Sequence, residues 1–496
     1  MIRINIIATL TSPPSQDGAE IGALPAEVEW LEVCADLAGE LDPDWLRGRF
    51  AGRLLYSLRG RAGGDDSAGP LDQRHERLRR AARSFDLVEL DGERDLTPDL
   101  LAQIPAGQRL ISWQGATANL SDLEARFARL SSVPARFYKL KTNAAKCGDE
   151  LLPLALLGRI RRSDTIAYAD GPLGFWTRLV APHLGAPLVY GLVPNGTAAA
   201  TDAEPAVDKL IEDYGFPHVE PLEGIYGIVG SQVFKSLSPR LHNAAYRGLK
   251  HPALFVPFRA ESFKEFWDEV VESDVLKSLK MPVKGLTVTS PHKEAALLTT
   301  RKVSPTSRRA ESVNILVRDN GSWRADTTDP EVVFMASRER KVSVKRRRAA
   351  VIGCGGAGRA IATALDESGA GVTLVNRGPE RGRYASQLLD LPYAPLQGFS
   401  ARGYDIVVNA TPVGRDDGAS PFRVETLDSD SVVIDLVYGF EPTPLVAGAL
   451  ALDRVAVDGR EVLLTQVLRQ FRMMTGRDMP AHTMREKLGL GEEMMN

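Results

Sequence analysis

Cysteine is scarce: Cys34, Cys147 and Cys354 are the three in a chain of 496 residues. So few, so widely spaced, exclude a disulfide framework and a cysteine-rich zinc site. Histidine numbers seven, with no HExxH or HxH pair, so no metal site is predicted. An excess of one charge is missing too. Lys plus Arg is 61 against 64 Asp plus Glu, a net charge of −3, which argues against a protein that coats nucleic acid. No apolar run approaches the roughly 20 residues that span a bilayer. The opening MIRINIIATL alternates like a β-strand and lacks the apolar core of a secretion signal. These absences predict a cytoplasmic protein with neither nucleic acid nor membrane as partner. They say nothing of oligomeric state.

What is present is ordinary for a folded protein: 44% hydrophobic and 25% charged residues, over a length suited to roughly two to three domains. Short apolar segments recur between helical ones in the first part. They are Arg3–Thr9, Trp30–Val33, Arg53–Ser57, Leu87–Leu90, Arg109–Ser112, Phe137–Leu140, Thr165–Ala169 and Leu188–Gly191. Helical stretches such as Asp72–Ser84 and Leu120–Leu130 separate them. This alternation predicts an α/β fold with an N-terminal (β/α)8 barrel over residues 1–200; a doubly wound sheet is the alternative. The polar stretch 201–224 reads as a linker with a short helix near Ala206–Tyr214. Strands follow at Ile225–Gly230, Pro252–Pro257 and Gly285–Thr289 in a block spanning 225–340. A Rossmann domain is predicted over 341–460, and the helix beginning at Glu461, in the closing segment 461–496, returns to the middle block. The basic run Lys341–Arg348 reads as a solvated lead-in to a strand.

The strand Ala349–Ile352 runs into Gly353-Cys354-Gly355-Gly356-Ala357-Gly358. In this strand–turn–helix context the glycines permit a tight turn, let backbone N–H groups approach a pyrophosphate, and bring helix close to strand. The next strand, Gly371–Val375, ends at Asn376 and Arg377, with Arg381 following. An acidic residue there would suit a ribose 2′-hydroxyl; arginine suits the 2′-phosphate of NADP. Asn409 and Thr411 follow the strand Asp405–Val408, where ligands meet open α/β sheets.

Residues 225–496 resemble shikimate dehydrogenases in motif order: YGIVGSQVFKSLSPRLHNAAY, GLTVTSPHKE, ESVNILV, DTTD, GCGGAGRA, NATPVG, DLVYGFEPTPL and DGREVLLTQ. The resemblance implies a two-lobed α/β enzyme that reduces 3-dehydroshikimate to shikimate with NADPH. It assigns the substrate carboxylate to Ser236 and Ser238. Thr289, Asn314, Tyr438 and Gln466 would bind hydroxyls and shape the pocket, and Lys293 and Asp329 would be the catalytic pair. Thr287 and Thr327 stand where asparagine is usual. Arg415 and Glu461 stand where methionine is common, and a charge near the nicotinamide would alter substrate or cofactor preference. Quinate or an amino analogue is the alternative substrate.

Residues 1–200 resemble type I 3-dehydroquinate dehydratases through LEVCAD, YSLRGRAGG, VELDGERDL, LISWQ, FYKLK and ADGPLGFWTR. The resemblance places the Schiff-base lysine of that family at Lys139. Glu32, Arg59 and Arg178 match other site positions, with 3-dehydroquinate as the implied substrate. A plain barrel lysine satisfied by Glu32 is the competing reading of Lys139. Gln114 occupies the histidine position and has no proton to exchange near neutral pH. Cys34 replaces an arginine, and Ala62 stands where a glutamate is expected. The expectation is therefore a dehydrogenase fused to a dehydratase-like barrel. The alternatives are a fully bifunctional enzyme, a barrel serving as a structural or interaction module, and a non-catalytic NADP sensor.

Overall fold

The computed structural model describes residues 2–58, 70–194, 204–339, 343–439 and 441–490. The contacts divide the chain into two compact units, Met1–Gly227 with Val233–Val283, and Ile228–Gln232 with Lys284–Asn496.

In the first unit eight strands follow one another in a single sheet: Asn5–Leu10, Val28–Cys34, Arg53–Ser57, Leu87–Asp91, Arg109–Gly115, Phe137–Asn143, Thr165–Asp170 and Leu188–Leu192. Every pairing between them is parallel. The edge strands Thr165–Asp170 and Leu188–Leu192 face each other through Tyr168 and Tyr190, with ring centroids 6.3 Å apart. This is the barrel that the alternation predicts, and the doubly wound alternative falls. Successive side chains of a strand point to opposite faces. Ile7, Trp30, Leu55, Leu87, Leu110, Ile166 and Leu188 accordingly gather in one buried cluster. The same period carries Glu32, Glu89, Lys139 and Tyr190 toward the carboxyl ends, where barrels keep their chemistry.

The helices follow from local signals. Asn119 caps Leu120–Ser131 by accepting the Asp122 N–H at 3.0 Å. Leu123, Phe127 and Leu130 then share a buried face at helical spacing. The stretch read as a linker carries the helix Val207–Glu212 and the short strand His218–Val219, which pairs with Ile2–Arg3. Residues 233–283 of this unit bring the helix Ser238–Gly248 and the strand Ala253–Arg259.

The second unit holds two sheets. Val283–Val288 pairs antiparallel with Ile315–Asp319, which pairs antiparallel with Ser322–Asp326. The other sheet has six strands in the order Tyr393–Pro395, Gly371–Asn376, Arg348–Ile352, Ile406–Asn409, Val432–Asp435 and Val455–Val457. All its pairings are parallel, and both faces are buried by apolar clusters. The strand order reverses between Arg348–Ile352 and Ile406–Asn409, so a crevice opens at their carboxyl ends. The glycine turn sits there. The helix Gly459–Thr475 is held by a capping box between Asp458 and Glu461.

Candidate active site

In the second unit the side chains converge on Asp329. Its Oδ2 accepts from Lys293 Nζ at 2.6 Å, and its Oδ1 accepts from Asn314 Nδ2 and Gln466 Nε2, both at 3.0 Å. Thr327 Oγ1 donates to Oδ2 at 3.3 Å. A buried carboxylate is costly unless its lone pairs are satisfied; here four donors from separate segments satisfy it. Asn314 is fixed in turn, because its Oδ1 accepts the Thr328 N–H at 2.8 Å. Behind it Gln470 Nε2 donates to Thr328 Oγ1 at 3.0 Å. Asp329 is 2% exposed at its side chain and Lys293 17%, so the carboxylate is fixed while the ammonium keeps an open side. A hydroxyl at Thr327 thus performs part of what an asparagine would.

The lysine is placed by its backbone. Its carbonyl accepts the Val313 N–H at 2.9 Å, and the preceding turn is closed by His292 N to Thr289 O at 3.0 Å. Thr289 itself donates its N–H to Val229 O at 3.0 Å. Tyr438 stands half-buried after the strand Val432–Asp435. Ser236 and Ser238 lie in the first unit, at the start of the helix Ser238–Gly248, where Ser236 Oγ accepts the Ser238 N–H at 3.2 Å.

The glycine turn fits a dinucleotide. Gly353 has φ of +103°, and a Cβ at Gly358 would lie 1.8 Å from the Gly353 carbonyl oxygen. A Cβ on Gly355 would meet nothing within 4 Å, so that side is open to an incoming phosphate. The helix Gly356–Glu367 starts at Gly355 with no side-chain cap, which leaves its first N–H groups for an anion. Ala357 lies in that first turn. Asn376 Oδ1 accepts the Cys354 N–H at 3.1 Å and steadies the turn. Arg377 is exposed at the end of its strand.

Arg381 has a neighbour that sequence reasoning missed. Its Nη2 reaches Glu294 Oε1 at 2.9 Å, and Arg359 Nη1 reaches the same oxygen at 2.9 Å. Burial opposes charge on Glu294, but the two guanidinium groups outweigh it and hold its carboxyl below the ordinary range. Arg359 is fully buried and also donates to the carbonyls of Ala310 and Glu311. Asn409 and Thr411 bond to each other, Thr411 Oγ1 donating to Asn409 Oδ1 at 2.7 Å, while Asn409 Nδ2 holds Asp435 Oδ1 at 2.9 Å. Both shape the loop. Arg415 is exposed, and Glu461 is occupied as a cap, accepting the Asp458 N–H at 3.1 Å.

In the barrel Lys139 is 5% exposed and donates to Glu89 Oε2 at 2.6 Å. Its ammonium also stands 4.9 Å from the Tyr190 ring centroid. Glu89 is a partner that sequence reasoning missed; Glu32, the carboxylate it named for this lysine, accepts the Thr9 hydroxyl at 2.7 Å. The inward period of VELD was the available signal. Arg178 lies over the Tyr168 ring and bridges to Glu204 at 3.0 Å. Gln114 Nε2 reaches Asp170 Oδ2 at 3.4 Å, and Lys141 Nζ reaches the same oxygen at 3.1 Å. Cys34 is buried. Arg59 and Ala62 lie outside the described residues.

Residues 228–316 match the shikimate dehydrogenase substrate binding domain, and residues 9–217 match type I 3-dehydroquinase. The shikimate dehydrogenase (NADP(+)) of Methanothermobacter thermautotrophicus is 34% identical over 277 residues, 53% of this chain and 95% of that protein. The chain belongs to the shikimate dehydrogenase family. Ahead of the dehydrogenase part stands the segment that matches type I 3-dehydroquinase. The chloroplastic bifunctional 3-dehydroquinate dehydratase/shikimate dehydrogenase of Arabidopsis thaliana is 27% identical over 394 residues, 73% of this chain; the match spans 62% of that relative's length. The solved dehydroquinate dehydratase and shikimate dehydrogenase from S. pombe covers 98% of each chain at 20% identity, with a TM-score of 0.43. Among the described residues no helix is long and apolar enough to cross a membrane.

Proposed function

We propose that the chain is an NADP-dependent shikimate dehydrogenase that reduces 3-dehydroshikimate to shikimate, within the pathway that makes aromatic amino acids. The observation that carries this is the 2.6 Å contact between Lys293 and a fourfold-held Asp329. Binding alone has no use for such a pair; ketone reduction does. When bound, NADPH supplies the hydride that attacks the carbonyl carbon. As the C=O π bond breaks, the Lys293 ammonium gives a proton to the oxygen and stabilises its developing charge. Asp329 orients the ammonium and accepts the neighbouring substrate hydroxyl. Ser236 and Ser238 hold the substrate carboxylate, and Thr289, Asn314, Tyr438 and Gln466 line the ring. Gly353–Gly358 would hold the pyrophosphate, and Arg377 and Arg381 would hold the 2′-phosphate. The glycine cradle and the arginines after the second strand support that cofactor. The functional division into barrel (1–200), linker (201–224), substrate domain (225–340, with 461–496) and NADP domain (341–460) belongs to the same reading, as does a cytoplasmic location.

For the barrel the reading is loss of the ordinary dehydratase reaction. Lys139 has the buried setting of an imine-forming lysine, but the position that should move the proton holds Gln114, whose amide does not titrate. The test is a paired assay on the full chain. NADP reduction with shikimate should be robust, and should collapse in Lys293→Ala. With 3-dehydroquinate alone no enone absorbance should develop. Dehydroshikimate forming in the second arm would establish a working lyase, and silence in the first arm would overturn the dehydrogenase.

A further inference from the structure

The first unit contains more than the barrel: residues 233–283, with the turn bearing Ser236 and Ser238, belong to it. Side chains of the barrel and of the segment that follows it grip that turn. Phe175, on the barrel helix Gly171–Val180, meets the Phe234 ring with centroids 4.7 Å apart. Lys209, on the helix Val207–Glu212, donates from Nζ to the Phe234 carbonyl at 3.2 Å. Past the turn, Arg240 Nε reaches Asp213 Oδ1 at 2.6 Å and its Nη2 reaches Glu212 Oε2 at 2.8 Å. One residue on from Phe175, Trp176 meets Phe258 edge-on at 5.2 Å.

Phe234 precedes Ser236 by two residues, and Arg240 follows Ser238 by two. Both ends of the serine segment are therefore anchored to residues of the first 214 positions. A short turn between two fixed points has little freedom left to lose when a ligand arrives.

We propose that Lys209 and Phe175 are positioning residues for the dehydrogenase: the barrel module holds the Ser236–Ser238 turn in its binding conformation, so its structure serves the second module's substrate affinity. This rests on the reading that these serines receive the substrate carboxylate. It also gives a barrel without its proton-moving histidine a continuing use.

The experiment uses the full chain and two readouts. The first is amide hydrogen exchange of residues 231–238 in Lys209→Met, with Lys209→Arg as the conservative rescue and Phe175→Leu as a second, independent variant. The second is steady-state shikimate oxidation by the same proteins beside Ser236→Ala. We expect faster exchange in Lys209→Met and Phe175→Leu, and a shikimate KM raised about fivefold, as for loss of one hydrogen bond. kcat and the KM for NADP should stay within about twofold, and Lys209→Arg should restore both readouts. Unchanged exchange in both variants overturns the brace. Faster exchange with an unchanged KM, while Ser236→Ala raises it, overturns the positioning role. A flat KM in Ser236→Ala overturns the carboxylate reading itself, whatever the exchange shows.

Discussion

Gln466 and Asp329 stand 137 residues apart in sequence, yet Gln466 Nε2 donates to Asp329 Oδ1 at 3.0 Å. The helix Gly459–Thr475 therefore returns to the segment carrying the carboxylate and fixes one of its oxygens. The other oxygen is left to Lys293 and Thr327. Two sides of one carboxylate thus have separate tasks, and mutation separates them.

Removing the amine at Lys293 should lower kcat by about 10²- to 10⁴-fold, the usual worth of a positioned proton donor. The KM for NADP should hardly move. Stopped-flow NADPH formation with shikimate checks this, and a kcat within about threefold of the wild type would remove Lys293 from the proton step.

Asp329→Asn keeps the shape but removes the charge that orients the ammonium. It should cost most of kcat, whereas Gln466→Ala should act mainly on KM, because it removes one donor and leaves the Lys293 contact intact. Parallel kinetics on the two variants decide the matter; equal kcat losses would show that the carboxylate acts only as one rigid body.

On the proposed reading, Arg377 and Arg381 recognise the 2′-phosphate. Replacing both Arg377 and Arg381 with alanine removes charge-assisted contacts worth about 1.5–3 kcal/mol each. The KM for NADP should rise by roughly a hundredfold or more, while the use of NAD is unchanged or improved. A rise that is equal for both dinucleotides would place the 2′-phosphate elsewhere. Arg381→Ala alone should act less, since part of its charge is already spent on Glu294.

Acid should weaken the first unit. His242 is fully buried and stacks on Phe255 with centroids 4.1 Å apart, and burial pushes its imidazole down to about 3. In the unfolded chain it titrates near 6.5. The unfolded state then binds the extra proton first, so stability is full above about pH 6.5 and falls as pH drops toward 3. The urea midpoint should decline between pH 7 and pH 4.5, and His242→Phe should decline less, whatever its value at pH 7. Equal slopes would show that other groups carry the acid sensitivity.

Periodicity made most of the fold legible. Arg53–Ser57 begins and ends as the alternation predicts, and Leu120–Leu130 differs from the helix by one residue. Local patterns suffice there because each element declares its own buried face. Motif order brought Lys293, Asp329, Asn314 and Gln466 to one place for a different reason: the spacing of a known family stood in for the missing three-dimensional information. What escaped was pairing across long stretches of chain. Glu294, Arg359 and Arg381 were all visible as charges, but nothing in a linear pattern says that a carboxylate will meet a guanidinium 65 residues on. Glu89 escaped similarly: it meets Lys139 across 50 residues and one intervening strand, Arg109–Gly115. Thr328 and Gln470 show the same limit in neutral side chains, since they find each other at 3.0 Å over 142 residues.

Gly356 carries a double restriction. A methyl group on it would come within 2.4 Å of Ser312 Oγ, 3.2 Å of Lys293 Cβ and 3.3 Å of Lys293 Cδ. The same bare backbone position thus borders both the nucleotide turn and the stem of the reactive lysine. Any side chain there would displace the amine as well as crowd the phosphates. An attempt to broaden cofactor use by enlarging this turn would therefore fail at the chemistry before it failed at recognition, and a library diversified across the glycine motif should return position 356 unaltered, even when it is selected only for proton transfer.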